Sequence, residues 1–283
     1  MIFKGIRQSI EQKRNQNSPV WKTIIYTKDV CHIPIGFLHN TVWIGYAQKI
    51  EQWYALHIKK YLLGIRYKKE TGKKMVIVIP FRNRKGHLES FVMHMRQFLQ
   101  GIKYEIVVIE QTEEKLFNRG KLLNVGFDLK KEDGVYFCFH DVDMLPQNIA
   151  CDYGYPPYPT HLANFCSQFD YKIPYQNFFG GVMLCNKKDF KEVNGFSNEY
   201  WGWGCEDDDF FKRITFFKLP FLHTGGRYLS LPHTPNKTAP VFQKNTERLR
   251  KECDYAKDGL SNLTYSVIKK EVLTDYTKYT VQI

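Results

Sequence analysis

Met75-Val76-Ile77-Val78-Ile79-Pro80 is an apolar run, rich in β-branched residues and closed by a proline. No polar residue alternates within it, so it predicts a strand buried on both faces, as in a parallel sheet. A helical stretch follows over about 87–100. Glu105-Ile106-Val107-Val108-Ile109-Glu110 reads as a second strand, 118–130 as a helix, and 135–140 as a third strand ending in Asp141-Val142-Asp143. Strand, helix, strand, helix, strand predicts a doubly wound α/β sheet. Such sheets bind ligands beyond the carboxyl ends of their strands. Pro80-Phe81-Arg82-Asn83-Arg84 and Asp141-Val142-Asp143 both fall at such ends. Further on, 151–177 is rich in Tyr, Pro and Asn and reads as a long ordered loop. Phe178-Phe179-Gly180-Gly181-Val182-Met183-Leu184 enters another strand through two glycines, and 187–193 reads as a short helix.

The chain has 283 residues, 43% hydrophobic and 25% charged, which suits one globular α/β domain with an appendage. Its charge is uneven. Residues 1–74 hold 14 Lys/Arg against 4 Asp/Glu, a net +10 out of +12 for the whole chain. Within this arm Ile50, Trp53, Tyr54, Ile58, Leu62 and Ile65 recur at helical spacing, with Lys59, Lys60, Arg66, Lys68 and Lys69 beside them. That pattern predicts a basic, helical N-terminal extension over 1–74, packed on the domain or lying on an anionic membrane surface. The catalytic-looking domain is expected over 75–283. No apolar run is long enough to span a bilayer, and no secretory h-region is visible at the start. Seven cysteines, an odd number with no C-x-x-C pair, read as reduced thiols in a cytoplasmic protein.

Two constellations carry chemistry. Carboxylates at i and i+2 at a strand end, Asp141 and Asp143, can both reach one hard divalent cation. A metal there would neutralise a departing diphosphate. A D-x-D turn alone is a weak signal, since any solvated turn can show it. Glu206-Asp207-Asp208-Asp209 places four acids in a row, where Phe210-Phe211-Lys212-Arg213-Ile214 continues as a helix whose N-terminus favours negative charge. Before them stands Trp201-Gly202-Trp203-Gly204. Flat indole faces beside carboxylates suit a sugar: the ring stacks, the hydroxyls bond the acids, and one carboxylate takes the proton of an attacking hydroxyl.

Taken in order, Val78–Arg84, Phe117-Asn118-Arg119-Gly120-Lys121-Leu122-Leu123-Asn124-Val125-Gly126-Phe127, Asp141-Val142-Asp143, Phe179-Gly180-Gly181-Val182 and Asn194-Gly195-Phe196 through Asp209 resemble the animal β-1,4-galactosyltransferase family. The tail Asp258-Gly259-Leu260-Ser261-Asn262-Leu263-Thr264-Tyr265 resembles it too. The likeness runs from about Met75 to Ile283, with 1–74 outside it. It implies a GT-A fold with a mostly parallel central sheet. It also implies inverting transfer of galactose from UDP-galactose, with Mn2+ or another divalent cation. By the same resemblance Pro80, Arg82, Arg84, Phe117 and Arg119 would hold the uridine nucleotide, with Val142, Gly181 and Trp203 also on the donor side. Asp143 would bind the metal together with His233, in a loop over 225–248 that closes on the donor. Asp207 would be the base. Asp208, Tyr175 and Trp203 would bind the acceptor, a glycan or lipid-linked sugar with a GlcNAc- or Glc-type end. Phe178 stands where those enzymes have a tyrosine beside the donor's C2 group, so galactose is the expected sugar, with GalNAc as the alternative.

The sequence departs from the family at two loop positions. Ser230 occupies the place of a methionine ligand three residues before the histidine, and Gln168 that of a lysine reaching the phosphates. The family's lumenal anchor and disulfides have no recognisable counterpart, so a bacterial or viral cytoplasmic enzyme building a surface glycan is expected. Three rival readings fit less of the chain. A non-catalytic sugar-binding module would be expected to have lost the base or a metal ligand. A nucleic-acid binder would need aromatic and basic residues interleaved along a groove. A two-metal phosphoesterase would need more carboxylates and histidines. His87, His94 and His161 read as core or surface groups and not as ligands, and His140 as a neighbour of Asp141.

Overall fold

The computed structural model describes residues 72–232, 239–251 and 253–283. Apart from Gly72, Lys73 and Lys74, the expected basic extension lies outside the described residues. The three buried strands form as read: β1 (Lys74–Phe81), β2 (Tyr104–Gln111) and β3 (Val135–His140). They are joined by α1 (Lys85–Phe98) and α2 (Arg119–Leu129). β1 lies between β2 and β3 and runs parallel to both.

The sheet grows on both sides. Beyond β3 come β7 (Val182–Asn186), antiparallel to it, then β5 (Thr160–His161) and β8 (Leu222–His223). Beyond β2 the chain's end supplies β11 (Thr277–Gln282), parallel to β2, and β10 (Ser266–Val272), hairpinned onto β11. The order is β10-β11-β2-β1-β3-β7-β5-β8. Its middle, β11-β2-β1-β3, is all parallel, as the uninterrupted apolar runs require.

Side chains of β1 alternate between two cores. Met75, Ile77 and Ile79 face α1 with Leu88, Phe91 and Met95. Val76 and Val78 face α2 with Leu122, Leu123 and Phe127. On that second face α3 (Lys187–Glu192) and α4 (Glu206–Phe216) add Phe190 and Phe210. Phe127, Phe137, Phe139, Phe190, Phe196 and Phe210 touch in succession, with ring centroids 4.3 to 5.9 Å apart. Aromatic residues make up 16% of the chain, and these six belong to the core.

The segment expected as one loop over 151–177 contains β5, β6 (Phe165–Cys166) and a 3-10 turn at Ser167–Phe169. Two-residue strands carry no periodic signal, which is why the sequence hides them. β6 joins β4 (Met144–Pro146) and β9 (Arg227–Ser230) in a small second sheet, order β4-β9-β6. α5 (Ala239–Arg250) follows. Among the described residues no helix is long and apolar enough to cross a membrane, and the six described cysteines are free.

Candidate active site

The site starts where β1 and β3 end. Arg84, the residue before α1, donates from Nη1 to Asp143 Oδ2 at 2.7 Å, and Asp143 is only 7% exposed. The neighbouring Asp141 accepts from Arg119 Nε at 2.6 Å, and Arg119 also pairs with Glu206 at 3.5 Å. Burial opposes the Arg119 cation, but Asp141, Glu206 and Asp207 together outweigh it and hold its pKa above the ordinary value. Arg82 sets its guanidinium 5.3 Å from the Phe117 ring and donates to the Lys115 carbonyl. Arg82, Arg84, Phe117 and Arg119 thus gather at the carboxyl ends of the central parallel strands, cations beside an aromatic face, as a nucleotide diphosphate needs. Pro80 is buried within the β1 ladder opposite Ile109. The Val142 side chain is buried in the core, so a donor contact there would run through its backbone.

A second turn connects this end to the acids. Gly181, at φ +81°, sends its carbonyl to the Asp141 N–H at 2.9 Å. A Cβ on Gly180 would run into Asp207 Oδ2 and the Phe178 ring. Glycine is needed here because the Asp207 carboxyl lies directly against the backbone. The Gly180-Gly181 turn therefore holds Asp141–Asp143 on one side and Asp207 on the other. Burial first, then Glu206 and Asp208, push the Asp207 carboxyl up to about 8. A carboxyl so raised is a stronger base when ionised.

The four consecutive acids separate into four tasks. Glu206 faces Arg119. Asp207 faces the glycine turn. Asp208 accepts from the Tyr175 hydroxyl at 2.8 Å. Asp209 turns inward to Arg213 Nε at 2.7 Å, where Arg213 is wholly buried and also donates to the Asp258 carbonyl. α4 fans the four acids in different directions, and the repulsion that remains falls on Asp207, which Glu206 and Asp208 push up.

Trp203 is 44% exposed beside these acids. Its loop is held by a residue that the sequence reading missed. Asn245 of α5, 3% exposed, places its Nδ2 within 3.0 to 3.3 Å of the carbonyls of Trp201, Trp203 and Gly204. Phe242 packs 5.4 Å from the Trp203 ring. Nothing in a polar helix sequence marks an asparagine for such a task. The Asn194-Gly195-Phe196-Ser197-Asn198 motif turns out to be a scaffold. Asn124 of α2 bonds Phe196 N, Phe196 O and Asn198 Oδ1, and Asn198 in turn donates to the Gly259 carbonyl.

His233, the expected second metal ligand, lies outside the described residues. Its approach is visible. β9 pairs with β4, Ser230 opposite Met144, and the Leu231 N–H donates to the Asp143 carbonyl at 2.7 Å. The chain therefore leaves for His233 from beside Asp143. Ser230, in the place of the family's methionine, donates its hydroxyl to Met144 Sδ at 3.3 Å. Among the described residues no three His, Cys, Asp or Glu groups converge as a metal cluster. Asp143 nevertheless offers a hard oxygen donor at a strand end, the type Mn2+ accepts. His140 is buried, with its Nδ1 at the Asp141 carbonyl and its Nε2 at the Tyr153 hydroxyl. Burial lowers its pKa to about 4 and keeps it neutral.

Residues 63–155 match the family described as the N-terminal region of glycosyl transferase group 7, and residues 160–234 that described as the N-terminal domain of galactosyltransferase. The match begins at 63, so the likeness starts earlier than the Met75 boundary read from the motifs. Bovine β-1,4-galactosyltransferase 1 is 38% identical over 218 residues, 74% of this chain and 54% of the relative. The Chinese hamster (Cricetulus griseus) β-1,4-galactosyltransferase 4 is 38% identical over 229 residues, 77% and 67%. The chain thus spans about half the length of the first of these relatives. A Drosophila β-1,4-galactosyltransferase 7 variant, solved with manganese, UDP-Gal and xylobiose, superposes with a TM-score of 0.64 at 34% identity, covering 75% of this chain and 94% of that one. With the strand-end arginines, the D-x-D turn, the paired glycines and the acid-headed helix assembled at the carboxyl ends of the central strands, the chain belongs to the β-1,4-galactosyltransferase family.

Proposed function

We propose that the chain transfers galactose from UDP-galactose to a hydroxyl of a glycan or lipid-linked sugar, with inversion, forming a β-1,4 bond to a GlcNAc- or Glc-type end. One observation carries this reading: the Gly180-Gly181 turn touches Asp207 on one side and the Asp141–Asp143 turn on the other. A donor seated on that turn has cations and Asp143 at its diphosphate and a carboxylate base on the sugar's far side. Arg82, Arg84 and Arg119 hold the phosphates and Phe117 the uracil. Asp143 would hold Mn2+, with His233 as its partner, and the bound metal would supply charge neutralisation for the leaving UDP. Asp207 takes the acceptor hydroxyl's proton as that oxygen attacks C1, the single displacement that inversion requires. Asp208, with Tyr175 on its other oxygen, orients the acceptor, and Trp203 offers a stacking face.

The test is UDP release from UDP-galactose with GlcNAc- and Glc-ended acceptors, with and without manganese. Turnover should need both acceptor and metal. Asp143→Ala should lower it more than about tenfold, roughly 1.4 kcal/mol of barrier, and raise the manganese concentration required. Metal-independent turnover, or UDP release indifferent to the acceptor, would refute the assignment.

A further inference from the structure

His161, at the end of β5, is fully buried yet makes more polar contacts than packing requires. Its Nε2 lies 2.7 Å from the Gly180 carbonyl. Its Nδ1 lies 3.0 Å from Asn164 Oδ1 and 3.2 Å from His223 Nδ1, and His223 Nδ1 lies 3.1 Å from the same Asn164 oxygen. The proton positions follow from what each partner can do. A carbonyl only accepts, so His161 Nε2 carries a hydrogen. Burial pushes the His161 pKa down to about 3, so the ring is neutral and its Nδ1 is a bare lone pair. Asn164 donates its Nδ2 to the Thr224 carbonyl at 2.6 Å, which leaves its oxygen facing the histidines as an acceptor. One donor remains that can satisfy both acceptors: the Nδ1–H of His223, shared between them.

Gly180 is the residue against which Asp207 and Phe178 lie. Phe178 also stands edge-on to the His161 ring at 5.2 Å, and Phe179 stacks on it at 5.1 Å. A shift of the Gly180 carbonyl therefore moves the backbone that separates base, donor and the ring beside the donor sugar. We propose that His161 is a positioning residue for the donor side of the site, acting through the Gly180 carbonyl and fixed in its tautomer by His223. The role rests on the galactosyl-transfer reading. It differs from a packing role because it needs a donor at one atom, Nε2.

Three variants separate these roles. His161→Phe keeps the ring and its stacking and removes both nitrogens. His161→Gln can present an amide N–H near the position of Nε2. His223→Phe, at an exposed residue, keeps a ring and removes the shared Nδ1–H. Each is measured for UDP-galactose affinity by calorimetry with manganese, and for kcat/KM with UDP-galactose and with UDP-GalNAc at fixed acceptor. His161→Phe should lose at least tenfold in donor affinity and shift the donor ratio at least threefold, with acceptor KM within threefold. His161→Gln should recover to within threefold of the parent. His223→Phe should fall between them. Equal losses in His161→Phe and His161→Gln, or donor and acceptor constants moving together, would overturn the inference. Should His161→Phe not fold, His161→Gln and His223→Phe decide alone: a glutamine variant worse than His223→Phe overturns it. Wild-type turnover tests the galactosyl-transfer reading, while calorimetric binding needs no turnover, so the two can fail separately.

Discussion

At the scale of single residues, adjacent acids in α4 have opposite tasks, and substitution should separate them. Asp207 stands against a glycine turn with its carboxyl pushed up to about 8, by burial first and then by Glu206 and Asp208. A base works only when ionised, so kcat/KM for the acceptor should fall as pH drops through the free-enzyme pKa. The acid limb should lie well above the range of an ordinary carboxylate. Glu206→Gln removes one of the negative charges that raise Asp207, so the limb should move to lower pH. A limb that stays in place, measured between about pH 5 and 9 at saturating manganese, would free Asp207 of Glu206's influence. Asp207→Asn should abolish turnover and leave UDP binding intact. Two residues later the task is structural. Asp209 is 2% exposed and paired to a wholly buried Arg213. Asp209→Asn leaves that cation with Asp258 alone. It should cost about 3 kcal/mol, the low end for breaking a buried pair, or a fall of about 6–12 °C in Tm. Asp207→Asn should show no such fall. Calorimetric melting of the two variants side by side checks the division.

Elements show how far the sequence could be read. β1, β2, β3, α1 and α2 emerged within a few residues of their expected ends, because buried parallel strands read as unbroken apolar runs and amphipathic helices repeat with a period. The Asp141–Asp143 turn and the acid cluster were legible because acids at strand and helix ends are chemically conspicuous. β5, β6 and β8 were not, since two residues define no period and their pairing is set by distant strands. Asn245 and His161 were invisible for a different reason: their importance lies in carbonyls that only the fold brings to them. α5 illustrates the consequence. Its Asn245 amide meets three carbonyls of the Trp203 loop, so α5 and that loop are built as one piece. Asn245→Asp preserves shape and replaces the donor with an acceptor. The carbonyls then face a negative oxygen, and a buried polar group without a partner costs about 1–3 kcal/mol. The Trp203 loop should leave its position, raising acceptor KM at least about tenfold while UDP affinity stays within threefold. Tryptophan fluorescence should change in parallel. An acceptor KM that follows UDP affinity, or does not move, would detach α5 from the acceptor side.

For the whole molecule, charge divides the chain into a basic arm over 1–74 and a nearly neutral remainder. Family resemblance begins at residue 63, and the 62 residues before it hold nine Lys/Arg against three Asp/Glu. β1 starts at Lys74, whose N–H reaches the Gly134 carbonyl, and the chain's last strands seal the β2 edge. We propose that the arm attaches the chain to an anionic surface and that catalysis proceeds without it. Each Lys/Arg held near an anionic bilayer contributes about 1 kcal/mol, and the effect fades with salt over a Debye length of about 10 Å at 0.1 M. A net +6 over residues 1–62, with apolar residues at helical spacing in its last third, matches that chemistry. Deleting residues 1–62 should abolish co-sedimentation with vesicles containing about a third phosphatidylserine, while kcat/KM for a soluble acceptor stays within about threefold. The full chain should bind those vesicles at low salt, release them near 0.5 M, and ignore neutral phosphatidylcholine. A lipid-linked acceptor separates the two roles further, because the arm would raise its local concentration without touching the chemistry. The deletion should then raise KM for the lipid-linked acceptor alone. Loss of soluble-acceptor turnover on deletion would place the arm within the catalytic fold, and vesicle binding that survives the deletion would move the membrane contact onto the domain itself.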